Sequence, residues 1–301
     1  MPTAWWTADG ADWQQVRVPL PAGTSTGAVT GLVSDRGRLV AVGRATTTGT
    51  DATDTHATGT HATGTHATDI AVAWTSAEGR NWRLASVDRA TAAAMQDVTM
   101  HAGRLLAVGR DDGADSEGDG AVWTSEDGGS WRRVAVTGVD GLGTQALDRV
   151  VDLAGSGLLA VGQEPQGGGT IARVRRSTDG TSWSDVDTDL TADAEVSGFT
   201  RGPDGRPVAV GAVPASGGSQ PRIWLVDAAG GRWTAEDAIT GTPGSGGTGG
   251  DAGGPPGAGD ARGVDLVGVS ASGAALTAVG SVPGAPGPLP AAWTIRPGQA
   301  R

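Results

Sequence analysis

The chain contains no cysteine, no lysine and no tyrosine, and its only phenylalanine is Phe199. Each absence removes chemistry. Without cysteine there is no disulfide, no thiolate nucleophile and no thiolate zinc site, and the redox compartment is left undetermined. Without lysine there is neither a P-loop nor a Schiff base. No Gly-x-Ser-x-Gly nucleophile elbow occurs. No apolar run approaches the roughly 20 residues that span a bilayer as a helix, so membrane insertion is not expected. The stretch from Met1 to Gly10 has neither a basic segment nor an apolar one, so no export signal is read. The cellular address stays open between the cytoplasm and, with an upstream segment, the envelope or exterior.

What is present is acidic, glycine-rich and rich in tryptophan. The 301 residues include 33 Asp and Glu against 22 Arg, for a formal net charge of −11. That balance argues against nucleic acid and anionic membrane surfaces, which both require clustered positive charge. The joint loss of Lys, Tyr and Phe reads as the codon bias of a GC-rich genome of actinobacterial type.

Two phrases recur. Ala-Val-Gly appears at Ala41-Val42-Gly43, Ala107-Val108-Gly109, Ala160-Val161-Gly162, Ala209-Val210-Gly211 and Ala278-Val279-Gly280, its glycines 66, 53, 49 and 69 residues apart. A period near 50 residues is the mark of a repeat architecture. Each phrase closes a short apolar run that reads as a strand buried on both faces. A tight-turn signal such as Asp35-Arg36-Gly37 or Pro203-Asp204-Gly205 precedes it. The second phrase ends in Trp: Thr7-x-Asp9-Gly10-x-x-Trp13, Ser76-x-Glu78-Gly79-x-x-Trp82, Ser125-x-Asp127-Gly128-x-x-Trp131, Ser177-x-Asp179-Gly180-x-x-Trp183 and Asp227-x-Ala229-Gly230-x-x-Trp233. This is turn chemistry: the acid accepts backbone N–H groups, Gly takes a positive φ, and Trp anchors the next strand. The fourth of the later copies lacks the acid at Ala229, so the turn is expected to tolerate its loss.

Two hairpins per unit make a four-stranded antiparallel sheet, and such sheets placed around an axis make an all-β propeller. The Trp phrase resembles the Asp-box of the bacterial neuraminidase repeat, found in sialidase-like propellers, although every copy here is one residue shorter before Trp. The resemblance implies the fold, with the Asp-box as a structural turn away from the ligand site. It also suggests sialidase activity, but those enzymes use a Tyr nucleophile that this chain lacks. Fold alone does not assign function.

Five opening hairpins predict five blades in a single domain over residues 1–301, closed by the N-terminal segment; an incomplete ring of six or seven blades is the alternative. The last unit ends after its third strand, Ala291–Ile295, and the segment from Trp13 to Val18 is the surplus strand. Trp5-Trp6-Thr7 competes with it for the same place. Turns within hairpins are short. Insertions 44–69, 111–119, 137–146 and 237–263 gather on the opposite face, those at 44–69 and 237–263 being low-complexity loops, and 240–260 reads as disordered.

No catalytic, cofactor-binding or metal-ligating residue is assigned. Arg173, Arg175 and Arg176 read as a solvated basic strand. Asp115, Glu117, Asp119, Gly120 and Glu126 fall at EF-hand spacing, yet the residues after Gly120 read as strand, and a solvated acidic loop is the simpler account. His56, His61 and His66 recur at a five-residue step that places them on no common face, as repeat expansion would. His101 reads as an exposed turn residue. Gly244-x-Gly246-x-x-Gly249 follows no strand and is no dinucleotide fingerprint. The leading functional expectation is a non-enzymatic binding or scaffold module, monomeric, offering its long-loop face to a protein or glycan. The alternative is a carboxylate-dependent glycan hydrolase or lyase working near the channel.

Overall fold

The computed structural model describes residues 2–6, 14–49, 66–88, 90–112, 118–140, 143–167, 169–216, 218–236, 265–273, 275–282 and 289–295. Every regular element among them is a strand, and the sheets form a five-bladed β-propeller. Blade 1 comprises Thr24–Asp35, Arg38–Gly49, His66–Ser76 and Arg83–Leu84. Blade 2 comprises Ala93–His101, Arg104–Asp111, Asp119–Ser125 and Ser130–Val134, with Ser86–Val87 added in parallel beside its fourth strand. Blade 3 is Arg149–Asp152, Leu158–Gln166, Gly169–Ser177 and Ser184–Asp185. Blade 4 is Glu195–Arg201, Pro207–Ala215, Gly218–Val226 and Trp233–Glu236. Blade 5 has three described strands, Asp265–Ser272, Ala275–Val282 and Leu289–Ile295.

The Ala-Val-Gly glycine sits inside the second strand, where a side chain would strike the first strand or the residues leading into it. A Cβ on Gly43, Gly109, Gly162, Gly211 or Gly280 would overlap the carbonyl oxygen of Ala28, Ala94, Ala146, Glu195 or Asp265 respectively. In blades 1, 2, 4 and 5 the first strand carries a bulge immediately beyond that contact, at Thr30, Gln96, Ser197 and Val267. The bulge bends the strand toward the axis.

The Trp turns of blades 2 and 3 repeat bond for bond, and those of blades 1 and 4 are variants. Ser76, Ser125 and Ser177 Oγ accept the N–H of Gly79, Gly128 and Gly180 at 2.8–2.9 Å. Asp127 and Asp179 Oδ1 each accept two further N–H groups, those of Gly129 and Ser130 and those of Thr181 and Ser182. The indole N–H of Trp82, Trp131, Trp183 and Trp233 returns to the turn glycine's carbonyl. In blade 4 Asp227, at the serine position, takes over the missing acid's task and accepts from Gly231 and Arg232. These backbone donors hold the carboxyl groups of Asp127 and Asp179 below the usual range. Their contribution to stability is therefore present above the unfolded carboxylate pKa and is lost as pH falls through the folded value.

The core is divided among the gaps between sheets. One apolar cluster joins blades 1 and 2 around Met95 and Trp123, a second joins blades 2 and 3 around Leu106 and Leu147, a third joins blades 3 and 4 around Leu159 and Trp224, and a fourth joins blades 4 and 5 around Ile223 and Leu276. The fifth lies between blade 1 and the N-terminal hairpin, Thr3–Trp6 with Gln14–Arg17, centred on Trp74 and Val18. That hairpin has the register of an outer blade hairpin: Trp6 pairs with Gln14 as Thr75 pairs with Arg83 and Thr124 with Arg132. Trp6 also packs on Gly79 in the way that Thr75 packs on Gly128. The N-terminal hairpin thus covers blade 1 as each other blade is covered by its predecessor. Trp5-Trp6 and the segment after Trp13 are two strands of one hairpin, so they do not compete for a place.

The insertions are not simple loops. The strands flanking 44–69 run on to Gly49 and back from His66, pairing along their whole length, while 50–65 and 237–264 lie outside the described residues. The 137–146 connection folds inward: Val139 and Ala146 are buried, and Gly120 N donates to Val139 O at 2.8 Å.

The buried Trp131 and the half-exposed Trp82 occupy the same turn position. Trp131→Ala is expected to lower unfolding free energy by about 3–5 kcal/mol, and Trp82→Ala by clearly less, as read by urea denaturation. Equal losses would contradict the packing difference.

Candidate functional site

The first strands of all five blades surround an axial cavity of about 670 Å³, walled by residues 30–34, 97–100, 149–152, 197–201 and 267–271. One station on these strands faces the second strand's Val42, Val108, Val161, Val210 or Val279. The residues there are Gly31, Asp97, Arg149, Gly198 and Gly268. Glycine fits because adjacent inner strands nearly touch. A Cβ on Gly31 would lie 2.8 Å from the α-carbon of Asp97, and one on Gly198 would lie 2.8 Å from that of Gly268. Blades 2 and 3 place an acid and a base at this level instead.

Asp97 is half-buried in the wall. Its Oδ1 accepts the N–H of Val98 at 2.8 Å and its Oδ2 accepts that of Val150, in blade 3, at 3.0 Å. Burial raises its pKa to about 6, against the opposing pull of Arg149 and the two N–H groups. Arg149 donates from Nε to Ser197 O at 2.6 Å and from Nη1 to Asp148 O at 2.7 Å. Behind it, burial also raises the pKa of Asp148, opposed by Arg149, by the N–H of Gln163 and by Arg110.

These contacts belong to a belt around the axis. Thr30 Oγ1 donates to Met95 O at 2.9 Å, Val150 N donates to Asp97, Arg149 donates to Ser197 O, and Ser197 Oγ donates to Leu266 O. Every step joins one blade to the next. A second belt lies where the inner strands end. Arg36 donates to Gly103 O at 3.1 Å, His101 Nδ1 lies 2.8 Å from Asp152 Oδ1, and Arg201 Nη1 lies 3.5 Å from Asp152 Oδ2.

Several sequence expectations change here. His101 is buried and in hydrogen-bond contact with a carboxylate, not an exposed turn residue, because its partner Asp152 comes from the next blade. The arginine run is not a solvated strand: Arg175 is buried between Glu164 and Asp185, and Arg173 also pairs with Glu164. In the acidic run, 113–117 lies outside the described residues, including Asp115 and Glu117. Asp119 and Gly120 open a strand that ends at Ser125, which puts Glu126 roughly 20 Å from Asp119. Those two cannot share a cation. His56 and His61 lie outside the described residues, and His66 begins a strand. Among the described residues no three His, Asp or Glu side chains form a metal cluster, and no helix is long and apolar enough to cross a membrane.

Asp97 and Arg149 were missed by sequence reasoning. The available signal was their offset, 12 and 13 residues before the Ala-Val-Gly glycine, where the other units have Gly31, Gly198 and Gly268.

No family model matches the chain, and no curated protein matches it. Among solved structures, the fold is similar to a mutant of Trypanosoma rangeli sialidase displaying trans-sialidase activity (TM-score 0.58, 12% identity, covering 97% of this chain and 48% of that one). It is similar to a GH130 protein, from a family of mannoside phosphorylases that contains glycoside hydrolases targeting β-1,2-mannosidic linkages (0.53, 13%, 99% and 95%). A Bombyx mori GH32 β-fructofuranosidase mutant in complex with sucrose also matches (0.50, 15%, 78% and 55%). The chain spans about half the length of the sialidase and the fructofuranosidase. At these identities the likeness carries the fold. The expectation of a non-enzymatic binding or scaffold module is corrected by it, since the neighbours are glycan-processing propellers and the cavity wall holds an acid and a guanidinium side by side.

Asp97 makes a signed prediction. Its folded pKa of about 6 lies above the ordinary 3.8, so the folded state binds the extra proton between about pH 4 and pH 6. Stability from this group is full below pH 4 and falls as pH rises through 6, by about 3 kcal/mol. Asp97→Asn, which mimics the protonated acid, should remove that loss. Denaturation curves at pH 4 and pH 7 check it, and a parallel pH trend in both proteins would refute the raised pKa.

Proposed function

We infer that the protein is a carboxylate-dependent glycan hydrolase or lyase acting in the axial cavity. The observation that carries this reading is Asp97: an acid on the cavity wall, with Arg149 on the next blade, whose pKa burial pushes up to about 6. A group with that pKa can give a proton to a departing glycosidic oxygen and take one back, since proton transfer is efficient when pKa and working pH are close. Arg149 would steady the carboxylate once the proton has gone and set the orientation of a sugar hydroxyl. Asp152 is the second wall carboxylate. It stands three residues along the inner strand from the Asp97 level, on the order of 10 Å along the axis. That spacing leaves room for a water molecule, as direct-displacement glycosidases require, and exceeds the short separation of enzymes that form a covalent intermediate. Asp152 would then be the base that activates the water, held in place by His101 and Arg201. The Ser–Asp–Gly–Trp turns are read as Asp-boxes with a scaffold role. They lie at the far ends of the outer hairpins and supply no group to the cavity.

A screen of neutral and uronate-containing oligosaccharides and polysaccharides, with and without inorganic phosphate and calcium, tests the reading. Turnover of at least one glycan is expected, with Asp97→Asn slower by a factor on the order of 10²–10⁴ and still folded. Absence of turnover on every substrate, or full activity in the variant, would overturn it.

A further inference from the structure

A second polar depression lies away from the axis, where the N-terminal hairpin meets the Trp turn of blade 1. It is a groove of about 860 Å³ whose wall includes Arg17, Arg38, Arg80, Arg83 and Trp82. Four guanidinium groups in one groove stand out on a chain of net charge −11. The charge is largely uncompensated among the described residues. Among the described residues Glu78 is the only acid of the groove wall, and it is occupied by the N–H and side-chain amide of Asn81. Arg38 pairs with Asp35 at 3.3 Å, leaving its Nε without a hydrogen-bond partner there. Arg80 stacks over the Trp6 ring at 3.6 Å, which holds its guanidinium plane in place without using its N–H donors. Arg17 and Arg83 are exposed and have no ion pair among the described residues.

The second observation is Trp82. Its counterparts Trp131, Trp183 and Trp233 are buried, at 2%, 5% and 6% exposure. Trp82 is only half-buried and forms part of the groove wall. An indole partly open to solvent beside several guanidinium forks matches a ligand with both a flat apolar ring face and oxyanions. Sugar rings carrying carboxylate or sulfate groups have that chemistry: arginine binds oxyanions in paired hydrogen bonds, and indole packs against the ring. Arg17, Arg80 and Arg83, the three without an ion pair among the described residues, exceed what one anionic group can neutralise, so several charges on one chain would engage together.

We propose that this groove binds an anionic polysaccharide chain through Arg17, Arg80, Arg83 and Trp82. The site is separate from Asp97, and its occupancy does not require the cavity chemistry inferred above.

The probes are a carboxylated oligogalacturonate, dextran sulfate and neutral dextran, titrated calorimetrically against the full chain. Binding of at least one anionic probe, weakened by added salt and absent for neutral dextran, is expected. The double variant Arg17→Ala/Arg83→Ala should bind about tenfold more weakly or worse with an unchanged melting temperature, while Asp97→Asn binds normally. The two anionic arms separate carboxylate from sulfate as the preferred group. Trp82→Phe, which keeps an aromatic face, should retain most of the affinity, and Trp82→Ala should lose it. Failure of both anionic probes to bind, equal binding of neutral dextran, or undiminished affinity in the arginine variant would overturn the proposal.

Discussion

A four-stranded sheet satisfies its inner hydrogen bonds from its own strands, but a sheet with two apolar faces needs a neighbour against each. Everything in this molecule follows from how those faces are covered. The contact that permits it is the missing side chain at Gly43 and its four equivalents, where a carbonyl in the first strand, or just before it in blade 3, closes onto the second. That closure, with the bulge beyond it, turns the inner strands toward the axis, and the wedge between consecutive sheets fills with residues such as Met95, Leu147, Phe199 and Leu276. Packing of this kind is non-directional. The directional component is the belt of bonds from Thr30 through Ser197, which fixes the height at which each inner strand meets the next.

The same constraint explains the N-terminal hairpin. Blade 1 would have one open face, with Trp74 on it. Val18, Leu20 and Ala4 cover that face, and Trp74 Nε1 donates to Pro19 O at 2.6 Å. The hairpin is an outer half-blade without its inner pair. Its cover is thinner than that provided by a whole sheet, which accounts for the partial exposure of Trp82 and for the groove beside it.

How much of this was legible in the sequence depends on the range of each interaction. The Trp turns are local: Ser125, Asp127, Gly128 and Trp131 satisfy one another within seven residues, and their chemistry could be read directly. Blade number followed from counting such turns and the Ala-Val-Gly phrases. The site was another matter. His101 and Arg175 were misread because the partners that bury them, Asp152 and Glu164, are supplied by another blade or by the paired strand, and residue type does not announce this. Asp97 was invisible for a related reason. An acid in an otherwise apolar strand is unremarkable until its counterparts at the same height are known to be Gly31, Gly198 and Gly268. The exposure of Trp82 was likewise unreadable, because it depends on what the N-terminal hairpin covers and not on the residues of its own turn.

One feature of the inner ring reaches beyond stability. Five like blades around an axis would present any molecule on that axis with five interchangeable orientations. Three glycines at one height preserve that degeneracy, and Asp97 and Arg149, on consecutive blades, abolish it. On blades 1 and 5 the lining includes exposed apolar side chains, Leu32 at 57% and Val267 at 55%. The ring therefore has an azimuth: a polar meridian and a greasy one. Two residues at one level give a fivefold-repeated architecture a compass bearing, and whatever enters along the axis can be told apart from its own rotated image.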